Sequence, residues 1–104
     1  MTIEFLYYKG CSHWKATLEE LQELLHSKGV EDAIDIIQVA SREEAERLQF
    51  PGSPTIRING EDVDIDPPSS DFGLACRTYD VEGEILERPP REWIDAALDD
   101  VAPG

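Results

Sequence analysis

A chain of 104 residues supports one domain, 1–104, large enough to bury a core without disulfide or metal staples. Its 23 acidic against 9 basic residues leave a net charge of -14, which repels phosphate backbones and anionic lipid surfaces, so neither nucleic acid nor membrane is an expected partner. No apolar run approaches the roughly 20 residues of a membrane helix, and Met1-Thr2-Ile3-Glu4 lacks the basic start of a signal peptide, which points to the cytoplasm.

Thr2 to Tyr8 is rich in β-branched and aromatic residues and reads as a buried strand, broken by Lys9-Gly10. From Ser12 to about Lys28 the apolar period changes. Trp14, Leu18, Leu21 and Leu25 share a stripe with Thr17 and Leu24, which predicts an amphipathic helix stopped by Gly29. Ile34 to Ala40 reads as a second strand. Ser41 and Glu44 form a capping box for a short helix through about Gln49, with Ala45 and Leu48 inward. Phe50 to Pro54 is a turn, Thr55 to Ile58 a third strand, and Asn59-Gly60 a hairpin signal that returns the chain along Glu61 to Ile65.

Asp66 to Ser70 is a loop, and Asp71 to Tyr79 fits strand or loop equally. Asp80 to Arg88 reads as polar and irregular. Pro89-Pro90 precedes a last helix with Trp93, Ile94, Ala97 and Leu98 on its apolar face, and Val101 to Gly104 is expected to fray. The order strand, helix, strand, helix, hairpin, helix predicts an α/β domain with a mixed sheet and helices on its faces, since the first βαβ unit crosses over right-handed.

Cys11 follows a strand and opens a helix. There the free N–H groups and the helix dipole favour a thiolate, with Lys9, His13 and Lys15 adding positive charge nearby. The alternative is a small buried hydrophobe. Trp14 stands where the second cysteine of a C-x-x-C pair would be, and it either packs in the core or shields the thiol. In a reducing compartment a transient bond or reactive thiol is expected over a permanent disulfide. Cys76 is then either a resolving thiol, with Gly73 giving freedom of approach, or an inert one. Arg77 beside it either lowers the thiol pKa or pairs with one of the many acids.

Ser53-Pro54 ends a turn and opens a strand. A cis bond there would expose the Ser53 amide and carbonyl to an extended peptide or a thiol adduct, but only ~5–6% of X-Pro bonds are cis. Cys11, His13, His26 and Cys76 lack the paired spacing of a zinc site, so no metal and no cofactor is expected. Two thiols alone could still bind a soft ion in a linear site.

Three stretches carry a family resemblance across nearly the whole chain. They are Phe5-Leu6-Tyr7-Tyr8-Lys9-Gly10-Cys11, Phe50-Pro51-Gly52-Ser53-Pro54-Thr55-Ile56-Arg57-Ile58-Asn59-Gly60 and Asp71-Phe72-Gly73-Leu74-Ala75-Cys76-Arg77-Thr78-Tyr79. The chain resembles the thioredoxin-like superfamily, and within it a group of small bacterial and archaeal proteins. Some of these are selenoproteins, and some are labelled alkylmercury-lyase-like. The resemblance implies a thioredoxin-like fold, β-α-β-α-β-β-α around a central mixed sheet, with Cys11 at the active-site helix and a cis bond at Ser53-Pro54.

The reading is a thiol–disulfide oxidoreductase or thiol-redox protein. Cys11 is the nucleophile and Cys76 the possible resolving thiol, while Trp14, Ser53 and Pro54 line the place of a thiol or disulfide substrate or a protein segment. The alternatives are a non-catalytic binding module and a soft-metal or organomercurial thiol-binding protein. Nothing in the sequence indicates an oligomeric state.

Overall fold

The computed structural model describes residues 1–101, so the expected fraying falls, from residue 102 on, outside the described residues. The elements run β1 (Ile3–Tyr7), α1 (Trp14–Ser27), β2 (Ile34–Gln38), α2 (Arg42–Arg47), β3 (Thr55–Ile58), β4 (Glu61–Asp62), β5 (Tyr79–Val81), β6 (Glu84–Leu86) and α3 (Arg91–Val101). The first four strands form one mixed sheet in the order β2-β1-β3-β4. β1 runs parallel to β2, with Ile3 opposite Ile34, and antiparallel to β3, with Phe5 opposite Ile56.

Alternation along β1 divides the core. Ile3 and Phe5 face one side, where they meet Ile56 and Ile58 of β3, Leu21, Leu24 and Leu25 of α1, and Ile94 and Leu98 of α3. Leu6 faces the other side and packs with Val39, Ala45 of α2 and Phe50. Helices therefore cover both faces, and the apolar stripes read from the helical period are buried or half-buried.

Local chemistry ends and joins these elements as expected in most places. Gly29, with φ +70°, follows α1, and its N–H donates to the His26 carbonyl. Asn59 and Gly60 both take positive φ, as a tight two-residue hairpin requires. The Ser41 hydroxyl accepts from the Glu44 N–H at 3.1 Å, and the Glu44 carboxylate accepts from the Ala40 N–H at 3.2 Å. Lys28, at the end of α1, reaches Asp95 and Asp99 of α3. Its pKa is raised, first by the hydrogen bond it donates to Asp95 and then by the one it donates to Asp99.

Three expectations are corrected. α1 begins at Trp14 and not at Ser12, because Ser12 and His13 form a turn and His13 makes no side-chain cap. The return strand stops at Asp62, since the Asp62 and Asp64 carboxylates bond to backbone N–H groups two residues on and bend the chain. Residues 80–88, read as irregular, contain a hairpin: β5 and β6 pair antiparallel with Tyr79 opposite Leu86. Its turn is Glu82-Gly83, both at positive φ, with the Gly83 N–H bonded to the Asp80 carboxylate. Glutamate before glycine is a weaker hairpin signal than the asparagine of Asn59-Gly60, and the acidic sequence hid it.

Among the described residues no helix is long and apolar enough to cross a membrane. Replacing Ser41 with Ala removes the α2 cap; urea unfolding is expected to show a loss of about 1 kcal/mol with an unchanged slope.

Candidate functional site

The two cysteines, 65 residues apart in sequence, are joined in a disulfide with their Cα atoms 5.4 Å apart. Cys11 reaches this place from the end of β1. The turn Tyr8-Lys9-Gly10-Cys11 is closed by the Cys11 N–H donating to the Tyr8 carbonyl at 3.0 Å. Gly10 lies against the Tyr8 ring, so close that a Cβ there would stand 2.5 Å from it. Cys11 is 1% exposed and its Sγ lies 3.7 Å from the Ser53 carbonyl oxygen.

Cys76 arrives from the opposite side of the chain. Residues 73–77 run beside 50–53 in parallel, held by three backbone bonds. The Gly73 N–H donates to Phe50 at 3.2 Å, the Ser53 N–H to Ala75 at 2.8 Å, and the Arg77 N–H to Ser53 at 2.9 Å. Ser53 and Cys76 thus form an isolated parallel bridge, and the segment left open between strand and loop is a loop with one bridge ahead of β5. Gly52 permits this approach. It has φ +135°, and a Cβ on it would stand 2.8 Å from the Arg77 Cβ and 3.1 Å from its backbone. The Ser53–Pro54 bond is cis, as the family resemblance implied.

Arg77 anchors the segment. Its side chain is 2% exposed, and its guanidinium meets Asp62 at 2.7 Å and Asp64 at 3.5 Å while donating to the Thr55 hydroxyl at 3.2 Å. It also lies over the Tyr79 ring at 4.3 Å, and the Tyr79 hydroxyl donates to the Pro54 carbonyl at 2.5 Å. Burial raises the Tyr79 pKa, while the Arg77 charge acts in the opposite direction. Of the two readings for Arg77, pairing with acids is the one seen. The partners could not be chosen from 23 acids by sequence alone. The close glycine before Ser53-Pro54 was the available signal for a packed crossing at this point.

The other expected helpers sit elsewhere. Cys11 stands three residues ahead of the first helical residue, outside the first turn of α1, where the pull of a helix N-terminus is strongest. Its recorded sulfur contact besides Cys76 is a carbonyl oxygen, which does not favour a free anion. His13 pairs with Glu87 at 3.0 Å, and Lys15 lies over the Trp14 ring. Trp14 stacks on Tyr7, with centroids 4.1 Å apart, and packs against the α1–α3 side of the core. The Ser53 hydroxyl and the Arg77 Nε are buried without a hydrogen-bond partner among the described residues. Among the described residues no group of three or more His, Cys, Asp or Glu side chains converges as a metal site.

The backbone bonds across the crossing hold the two cysteines at the Cα separation that a disulfide requires. No family model, curated protein or solved structure matches the chain.

The Arg77 anchor makes a quantitative demand. Asp62 is 8% exposed, so Asp62→Ala leaves a buried guanidinium short of its main partner; urea unfolding is expected to show a loss of about 3 kcal/mol or more. Asp64→Ala removes a longer, more exposed contact and is expected to cost about 1 kcal/mol or less.

Proposed function

We propose that the chain is a thiol–disulfide redox protein of thioredoxin-like architecture, whose working element is the Cys11–Cys76 pair. The pair cycles between disulfide and dithiol, and in the reducing cytoplasm it gives electrons to, or takes them from, a disulfide or thiol partner. The observation that carries this reading is the pair itself. Two cysteines on distant segments are disulfide-bonded, with Cα atoms 5.4 Å apart, and one of them is exposed. A bond buried on both sides would fit a structural staple. A bond with one exposed cysteine is open to exchange, and access is one of the factors that set exchange rates.

Three further observations support the reading. The sheet order β2-β1-β3-β4, with β3 antiparallel to β1 and helices on both faces, fits the fold that the family resemblance implies. The cis Ser53–Pro54 bond stands beside the pair. Cys76 also supplies from afar the second thiol that Trp14 displaces from the C-x-x-C position.

A groove beside Ser53 that captures an outside segment is less well supported. The Ser53 N–H and carbonyl are already bonded to Ala75 and Arg77 of the same chain. Soft-ion capture requires both sulfurs to be released from each other first.

The test is equilibration of the native protein in glutathione buffers of graded ratio, with the thiols then trapped by a mass-tagged alkylating agent. A single cooperative two-electron transition between dithiol and disulfide is expected, with two equivalents of glutathione oxidised per protein reduced. A bond that stays closed in the native protein at millimolar reduced glutathione, and opens only on unfolding, would identify a structural staple and end this proposal.

A further inference from the structure

Building on that redox reading, we propose that Cys76, and not Cys11, is the sulfur that exchanges with outside thiols and disulfides. Cys11 is its internal partner. The sequence points to Cys11 as the nucleophile; on this proposal the two roles are exchanged.

Thiol–disulfide exchange is a displacement at sulfur. The attacking thiolate approaches the sulfur it bonds to, opposite the sulfur that leaves, so the sulfur open to solvent is the one attacked. Cys11 is 1% exposed, enclosed by the Tyr8–Cys11 turn on its own side and by the Ser53 carbonyl 3.7 Å from its Sγ. Cys76 is exposed, and its neighbours Ala75 and Thr78 are exposed with it. An incoming group therefore meets Cys76 first.

Arg77 keeps that sulfur in place. The residue after Cys76 is bonded through its N–H to Ser53 and through its guanidinium to Asp62, Asp64 and Thr55. Breaking the disulfide removes none of these bonds. After reduction Cys76 stays over Cys11, and the mixed disulfide it forms is held within reach of the internal thiol.

The chemistry balances as follows for reduction by a small thiol. Its thiolate attacks the Cys76 Sγ, forming a mixed disulfide. The Cys11–Cys76 bond breaks, and its electron pair leaves with the Cys11 sulfur, which takes a proton from water. A second thiolate attacks the sulfur of the bound small thiol, releasing the small-molecule disulfide and the Cys76 thiolate. Two thiols are oxidised and one protein disulfide is reduced. In the reverse direction the Cys76 thiolate attacks a substrate disulfide, and Cys11, losing its proton, resolves the adduct.

The experiment reduces wild-type protein with a phosphine, removes the reductant and adds iodoacetamide well below one equivalent under native conditions. Peptide mapping then gives the label on each cysteine. Cys76 is expected to carry at least ~10-fold more label than Cys11, because access limits the buried thiol. In parallel, Cys11→Ser and Cys76→Ser are each mixed with glutathione disulfide. Cys11→Ser is expected to form the mixed disulfide at least ~10-fold faster.

Equal labelling, preferential labelling of Cys11, or a Cys76→Ser variant that reacts as fast as Cys11→Ser would overturn the assignment. If either variant fails to fold, the wild-type label ratio decides alone. Because a phosphine opens the bond whatever its stability, this result is independent of the glutathione equilibrium that tests the redox reading.

Discussion

The buried pairing of Arg77 with Asp62 is the constraint on which the candidate site depends. The guanidinium is almost wholly enclosed, and its charge is met by Asp62 on β4, by the more distant Asp64 and by the Thr55 hydroxyl on β3. A buried charge left without its partner costs several kcal/mol, so the position of Arg77 is firmly specified once β3 and β4 are formed. Its backbone N–H then falls on the Ser53 carbonyl, and the preceding residue, Cys76, falls on the sulfur of Cys11. The Arg77 side chain thus ties the segment of the second cysteine to β3 and β4, alongside the backbone bonds of the crossing.

On the proposed reading, this order of cause gives the disulfide a different role from that of a staple. A staple holds apart-lying segments that would otherwise separate. Here three backbone bonds between 50–53 and 73–77, a glycine that admits the close crossing, and the Arg77 ion pair already hold the segments. On the proposed redox reading, the bond between the two sulfurs opens and closes against a framework that these contacts prepare. The Tyr79 hydroxyl on the Pro54 carbonyl adds a second tie immediately downstream. The hairpin β5–β6 starts from that tie.

Much of the frame was legible in the residues because it rests on local signals. β-branched and aromatic content marked β1, the helical period marked α1 and α3, Ser41 and Glu44 marked the start of α2, and Asn59-Gly60 marked the hairpin that follows β3. The second hairpin was missed because Glu82-Gly83 is a poor turn signal in an acidic stretch. Cys11 and Cys76 could be nominated as nucleophile and possible resolving thiol, with Ser53 and Pro54 beside them. Whether the two sulfurs meet could not be read, since it depends on which of many carboxylates would take Arg77. The start of α1 was placed two residues early, and with it went the helix-terminus argument for Cys11. The lesson is physical: local periodicity records which face is buried, whereas the partner of one buried cation is a property of the assembled sheet.

The central claim is that the fold, and not the disulfide, brings Cys76 to Cys11. Amide hydrogen exchange of Ser53 and Arg77, followed in the oxidised and the phosphine-reduced protein, tests it most directly. Both N–H groups are bonded across the crossing, to Ala75 and Ser53 respectively. The account predicts that both stay protected on reduction, changing by no more than about tenfold, as expected for bonds that open only with larger unfolding. Exchange of both amides at the rate of an open chain once the disulfide is reduced would contradict it, and would make the disulfide the cause of the crossing.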